Sequence, residues 1–259
     1  MTANEQAAER LRNAYQAGVV APMRDLIEPH DIENAYAIQQ INTALWQGQG
    51  RRIVGRKVGL TAKAVRLQMG VDQPDFGVLF ADMAIADEGR LSPRQVLQPK
   101  AEGEVAFIMA ADVNDPDVTR EQIAAAVASV VTAIEIVDSR IEDWKITFAD
   151  TVSDNGSSAF FVLGSDPKSL DGLDLWTCGM ALEVNGEIVS IGAGAASMGH
   201  PLNALTWLAQ TLAKRGDGLR KGDVILSGAL GPMYAINPGD VVRATIGGLG
   251  SASFTYEAA

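Results

Sequence analysis

AEGEVAFI at residues 101–108 and TAIEIVD at residues 132–138 decide the fold. Both alternate with a period of two, which is the signature of a β-strand. In the first, residues two apart point to one face, so Glu102 and Glu104 share a side while Val105 and Phe107 pack on the other. In the second, Glu135 stands between Ile134 and Ile136, an acid inside an apolar strand.

Outward from these strands the pattern is mixed. The first fifty residues read as helical, with Asp31 capping a helix in which Ile38, Ile41 and Leu45 recur at spacings of three and four. The polar stretch GQGRR, residues 48–52, is the best boundary in the chain. Thr119 and Gln122 have capping-box spacing, and Ile123, Val127 and Val130 continue at a helical period. Asn185-Gly186 between alternating segments is a hairpin signal. Leu202, Leu205, Leu208 and Leu212 form an amphipathic helix, and Ala252, Phe254 and Tyr256 line one face of a last strand. Strands outnumber helices without alternating regularly with them, which disfavours a doubly wound sheet. The expectation is a strand-rich α+β protein with an N-terminal helical subdomain at 1–50 and a catalytic domain at 51–259.

Composition narrows the function. The chain is 47% hydrophobic and 20% charged, ordinary for a globular protein. Its 32 acids against 21 bases give a net charge of -11, which disfavours nucleic-acid partners. Cys178 is the only cysteine and His30 and His200 the only histidines, so neither a disulfide framework nor a Cys- or His-rich zinc site is available. The polar N-terminus has no apolar signal region, and Ile123–Val137 is too short and interrupted to span a bilayer. A cytoplasmic protein with no membrane partner is expected.

Glu102, Glu104 and Glu135 stand out chemically. Neighbouring carboxylates repel unless solvated or bridged by a cation, and a buried one needs a partner. A hard oxygen site for Mg²⁺ or Mn²⁺ is one reading. Solvated acids on an open sheet face, or acids paired with distant arginines, is the other, and spacing leaves both standing. Lys57, between the glycines of GRKVGLT (55–61), either holds a substrate carboxylate or is a solvated lysine beside a turn. Asp75, in QPDFG (73–77), reads as a turn former or an active-site loop acid. Asp150, Asp154 and Asn155, in DTVSDNGSS (150–158), either line a pocket or else cap a helix or close a loop. His200-Pro201 reads as a helix start. Gly192–Ala196 lacks the βαβ context of a dinucleotide loop.

GRKVGLT (55–61), GVDQPDFGVLFADM (70–83), the E-x-E pair, AIEIVDSR (133–140), DTVSDN (150–155), GHPLNA (199–204) and ILSGALGPM (225–233) follow in this order. Together they resemble the hydratase/decarboxylase family of aromatic meta-cleavage pathways, related in fold to the fumarylacetoacetase C-terminal domain. The resemblance runs from about Ala21 to Phe254. It implies a β-roll or sandwich core, Mg²⁺ or Mn²⁺ on Glu102, Glu104 and Glu135, and catalytic roles for Lys57 and Asp75. Asp154 and Ser157 become candidate substrate-binding residues.

The implied reaction is hydration of 2-hydroxypenta-2,4-dienoate to 4-hydroxy-2-oxopentanoate. Asp75 favours this branch, because adding water needs a group that moves a proton. GAGAA at 192–196 looks more like the decarboxylase branch, which acts on 4-oxalocrotonate. A fumarylacetoacetase-type hydrolase is disfavoured for want of a well-placed histidine. A non-catalytic partner of neighbouring pathway enzymes is a further alternative. The resemblance also implies a homo-oligomer, with association to a pathway aldolase or decarboxylase as a possible extension.

Overall fold

Lys100–Met109 forms the central strand of a computed structural model that describes residues 1–259. The strands in chain order are β1 (Ile53–Gly59), β2 (Asp75–Phe80), β3 (Ala84–Ile85), β4 (Gly89–Leu91), β5 (Lys100–Met109), β6 (Val127–Val137) and β7 (Ser158–Leu163). There follow β8 (Gly179–Val184), β9 (Glu187–Ala193), β10 (Val224–Leu226), β11 (Tyr234–Ala235), β12 (Val241–Ile246) and β13 (Gly250–Tyr256). The helices are α1 (Ala3–Ala17), α2 (Ile32–Gly48), α3 (Lys63–Met69), α4 (Arg120–Ala125), α5 (Phe148–Ser153) and α6 (Pro201–Lys214).

Two sheets result. The larger has the order β2-β1-β10-β5-β6-β7-β3, with β11 added to β5, and the smaller has the order β4-β13-β12-β8-β9. The two faces of β5 explain the arrangement. Ala101, Val105 and Phe107 are buried in the main apolar core, which β8, β12 and β13 also fill. Gly103 lies on that same face by alternation, and its lack of a side chain lets the smaller sheet pass close by. A Cβ there would come within 2.9 Å of Met180 Sδ and 3.4 Å of Ala244 Cβ. The opposite face carries Glu102 and Glu104, and beyond them Ala106 joins a second apolar cluster with Phe80, Val131 and Leu226. No helix is long and apolar enough to cross a membrane.

The strand-rich α+β architecture matches the pattern in the sequence, and so do several local signals. Asp31 caps α2, Thr119 and Gln122 form a capping box, and Asn185 and Gly186 both take positive φ between β8 and β9. His200 caps α6 through its imidazole, which accepts from the Leu202 N–H. Two expectations are corrected. The helical period through Val127 and Val130 fails: α4 ends at Ala125, and both valines belong to β6. Ten residues of pairing with β5, added to β-branched side chains, outweigh a spacing that suits either state. Asp75 is not in a loop; it is the first residue of β2, a strand buried along its whole length.

Candidate metal centre and active site

Register brings the three acids together. β5 and β6 are antiparallel, with Glu102 opposite Glu135 and Glu104 opposite Ala133. Directly opposed residues share a face of the sheet. The three glutamates accordingly offer carboxylate oxygens that lie within 4.8 Å of one another. Glu104 and Glu135 are fully buried, whereas Glu102 is partly open to a cavity.

Few donors answer these oxygens. Glu104 Oε2 accepts from the Gly228 N–H at 2.7 Å, but Glu104 Oε1 and both Glu135 oxygens have no hydrogen-bond partner. Burial and the neighbouring Glu135 push the Glu102 carboxyl up to about 7. Burial, then Glu135 and Glu102, raises Glu104 well above the usual range, and burial raises Glu135 against the pull of Lys57. Buried oxygens with no donor, converging from two strands, are the surroundings a divalent cation relieves. With only carboxylates in the set, a hard cation such as Mg²⁺ or Mn²⁺ fits these residues.

Lys57 and Asp75 sit beside the acids. Lys57, buried on β1, donates from Nζ to the Gly156 carbonyl at 2.8 Å and stands 3.5 Å from Glu135 Oε2. Burial alone would depress its ammonium, but Glu135, Asp75, Glu102 and Glu104 outweigh that and hold it above the usual lysine range. Asp75 lies opposite Gly59 on β1, and Gly59 is what makes room for the pair. A Cβ at that position would run into the Asp75 carboxylate and come within 3.2 Å of Lys57 Nζ. Asp75 is buried and its Oδ1 has no partner; burial raises its carboxyl although Lys57 pulls it down.

The segment after α5 completes the wall. Asn155, Gly156 and Ser157 all have positive φ, at 57°, 63° and 54°. Three consecutive left-handed residues, two with side chains, are unfavourable unless neighbours hold them. Arg140 does so from one side. It donates from Nε to Asp154 Oδ1 at 2.6 Å, from Nη2 to the Asp154 carbonyl at 2.7 Å and from Nη1 to the Ser158 carbonyl at 3.1 Å. The turn thereby presents the Gly156 carbonyl to Lys57 and the Ser157 hydroxyl to Thr151 Oγ1 at 3.2 Å.

The cavity in front has a volume of about 610 Å³. Lys57, Asp75, Glu102, Thr151 and Ser157 line its polar end, and Leu60, Val137, Trp144, Ile146, Leu230 and Met233 contribute to an apolar wall. Lys57 is the one cation in that lining. A second cavity of about 460 Å³, lined by His30, Leu67 and Phe148 among others, holds none of these groups.

Of the residues singled out in the sequence, Glu102, Glu104, Glu135, Lys57, Asp75 and Ser157 converge here. Asp154 does not: its carboxylate faces Arg140 and lies outside the cavity lining. Asp150 closes the capping box of α5 by accepting from the N–H of the cap residue Thr147, and it also accepts from the Met23 N–H, so it is a structural acid. Thr151 and the Gly156 carbonyl were not anticipated. The only hint of the Gly156 carbonyl is the small-residue run DNGSS at 154–158, which a tight, close-packed turn requires, and nothing in the sequence singles out Thr151.

Residues 52–256 match the family described as fumarylacetoacetate (FAA) hydrolase C-terminal. The chain belongs to that family. It is 50% identical over 254 residues to a 2-keto-4-pentenoate hydratase of Paraburkholderia xenovorans (strain LB400), covering 98% of this chain and 94% of the relative. It is 40% identical over 255 residues to a 2-hydroxyhexa-2,4-dienoate hydratase of Comamonas testosteroni, covering 97% of each. Among solved structures, the 4-oxalocrotonate decarboxylase from Pseudomonas putida G7, complexed with magnesium and adipate, superposes with a TM-score of 0.93 at 33% identity, over 98% of this chain and 97% of that one.

Proposed function

We propose that this protein is a divalent-metal-dependent hydratase that adds water to 2-hydroxypenta-2,4-dienoate, giving 4-hydroxy-2-oxopentanoate. The observation that carries the reading is the placement of Asp75 and Lys57 side by side on the wall of the cavity that meets the carboxylate triad. Similarity to hydratases along nearly the whole chain supports it. Glu102, Glu104 and Glu135 would hold Mg²⁺ or Mn²⁺. When bound, the ion supplies Lewis-acid stabilisation of negative charge on the substrate's 2-oxygen.

The chain's own groups then divide the work. Lys57 keeps its proton, so it acts as a fixed positive charge for the substrate carboxylate or 2-oxygen, not as a base. Asp75, with one oxygen free and an elevated affinity for protons, moves a proton between water and substrate carbon during addition. Thr151 and Ser157 offer hydroxyls to substrate oxygen at the polar end. The apolar wall receives the C4–C5 end and excludes bulk water. Residues 1–50 serve as a helical subdomain packed into the same core as 51–259, which carries the reacting groups. We further place the enzyme in the cytoplasm as a homo-oligomer, which would cover the exposed Ile188 and Ile191 of edge strand β9.

The second reading is a 4-oxalocrotonate decarboxylase, favoured by the superposition with one and by Gly192 and Ala193 in the cavity lining. That substrate carries a second carboxylate, and a wall whose one cation is Lys57 offers it no further counter-charge. With Mg²⁺, the expected result is loss of dienoate ultraviolet absorbance, a product heavier than substrate by one water, and no CO₂. Release of CO₂ from 4-oxalocrotonate without hydration of the unsubstituted dienoate overturns the proposal.

Metal binding should depend on pH. Protons and metal compete for the same carboxylates. With Glu102 pushed up to about 7, acidification from pH 8 to pH 6 takes it from mostly ionised to mostly protonated. The expected outcome is an apparent Mg²⁺ affinity weakened by at least about tenfold over that interval. Titration calorimetry at the two pH values measures it, and equal affinities contradict the assignment of Glu102 as a ligand.

A further inference from the structure

β2 carries Asp75 and is the last strand on its side of the larger sheet. An edge strand has a row of N–H and C=O groups with no neighbouring strand to pair them. On β2 those groups are not solvated, because all six of its residues are buried. Buried backbone polar groups need partners. Here side chains from two other elements provide them.

The groups at Phe76 and Val78 point away from β1, since Asp75 and Gly77 alternate with them in the ladder toward Gly59 and Lys57. The Phe76 N–H donates to Tyr36 Oη at 3.3 Å, and the Phe76 carbonyl accepts from Gln39 Nε2 at 3.0 Å. Gln39 Nε2 also donates to the Val152 carbonyl at 2.9 Å, joining β2 to the helix that carries Thr151. Two residues on, the Val78 N–H donates to Asn155 Oδ1 at 2.7 Å and the Val78 carbonyl accepts from Asn155 Nδ2 at 2.9 Å. Tyr36 additionally stacks on Phe76, with ring centroids 4.5 Å apart. Tyr36 and Gln39 come from α2, and Asn155 begins the left-handed turn whose next residue offers its carbonyl to Lys57.

We infer that Tyr36, Gln39 and Asn155 act as a substitute strand along the free edge of β2 and are positioning residues for Asp75. The inference rests on the proposed role of Asp75 in proton movement. On this reading the N-terminal helices are part of the catalytic device: α2 sets where β2 begins, and so where the Asp75 carboxylate stands relative to Lys57. Gly77, between the two bridged residues, marks how closely the turn approaches, since a Cβ there would meet the Asn155 carbonyl and come within 3.2 Å of Lys57 Cδ.

The experiment is a double-mutant cycle on the full chain with Mg²⁺ and the dienoate. Gln39→Met removes both donated bonds at similar volume, and Tyr36→Phe removes one acceptor while keeping the stacked ring. Each is made in the wild type and in Asp75→Asn, and Mg²⁺ affinity is measured alongside. In the wild type, Gln39→Met is expected to lower kcat roughly tenfold or more, with KM and Mg²⁺ affinity within about twofold. Tyr36→Phe is expected to do the same less strongly. In Asp75→Asn neither should lower the residual rate further, because the group they position no longer works. Equal losses in both backgrounds, or no loss in a folded variant, overturn the inference. If Gln39→Met does not fold, Tyr36→Phe decides by the same comparison. Full activity of Asp75→Asn by itself instead overturns the role proposed for Asp75.

Discussion

Asp75→Asn is expected to lower kcat/KM for hydration by about 10²- to 10⁴-fold, the range a general acid–base group contributes, while leaving Mg²⁺ affinity within about twofold. The substitution keeps shape and volume at a buried position packed against Gly59. It removes the capacity to take and return a proton, together with the negative charge that Asp75 sets beside Lys57. Asp75 is suited to that exchange because burial and Lys57 act on it in opposite directions. Burial favours the protonated acid, the ammonium favours the carboxylate, and burial is the larger effect. An amide in its place hydrogen-bonds but cannot cycle a proton. Steady-state kinetics with calorimetry on the same preparation separates the two properties. Near-wild-type hydration by the variant leaves Asp75 without its role; a parallel loss of metal affinity makes it a structural support of the triad instead.

How much of this was legible before the structure depends on the range of the interactions involved. Glu102, Glu104 and Glu135 were legible because strand alternation is local: two acids at i and i+2, and a third between isoleucines, announce carboxylates on strands whose other side is core. That the two strands are neighbours, with Glu102 opposite Glu135, was not written in either one. The Asn185-Gly186 hairpin and the His200-Pro201 helix start were legible for the same local reason. Asp75 read as a loop residue because Pro74 and Gly77 are turn formers. It is a strand residue because β1 pairs it on one side and distant side chains cover the other. Asp154 looked like a pocket acid because its partner, Arg140, lies fourteen residues away in the chain and meets it only in the folded structure. The fold class could be read from periodicity; the assignment of individual polar side chains to site or scaffold required contacts made across the chain.

Glu135→Gln should have opposite effects on stability in the absence and presence of metal, and this tests the centre most directly. With chelator, the wild type buries three carboxylates that repel one another, two of them fully buried, and Glu135 has no hydrogen-bond donor at either oxygen. A carboxyl whose folded pKa is raised lowers stability at pH values above its unfolded pKa, because ionising it costs more in the folded state than in the unfolded one. Glu135 and its two neighbours are all shifted upward. Removing one charge at pH 8 therefore relieves the metal-free protein, and its Tm should rise. With Mg²⁺ the order reverses. Bound metal stabilises the wild type by an amount set by its concentration relative to Kd, about 2.7 kcal/mol at a hundredfold excess. A neutral amide in place of one anionic ligand forfeits most of that gain and the activity with it. Melting curves at pH 8 with chelator and with saturating Mg²⁺ should cross: the variant melts above the wild type without metal and below it with metal. Acidifying the metal-free wild type from about pH 7 toward pH 5 should raise its Tm by the same physics, as Glu102, at about 7, takes up its proton. If Glu135→Gln melts below the wild type by the same margin in both conditions, Glu135 is a structural acid held by Lys57, and the three carboxylates are not a metal site.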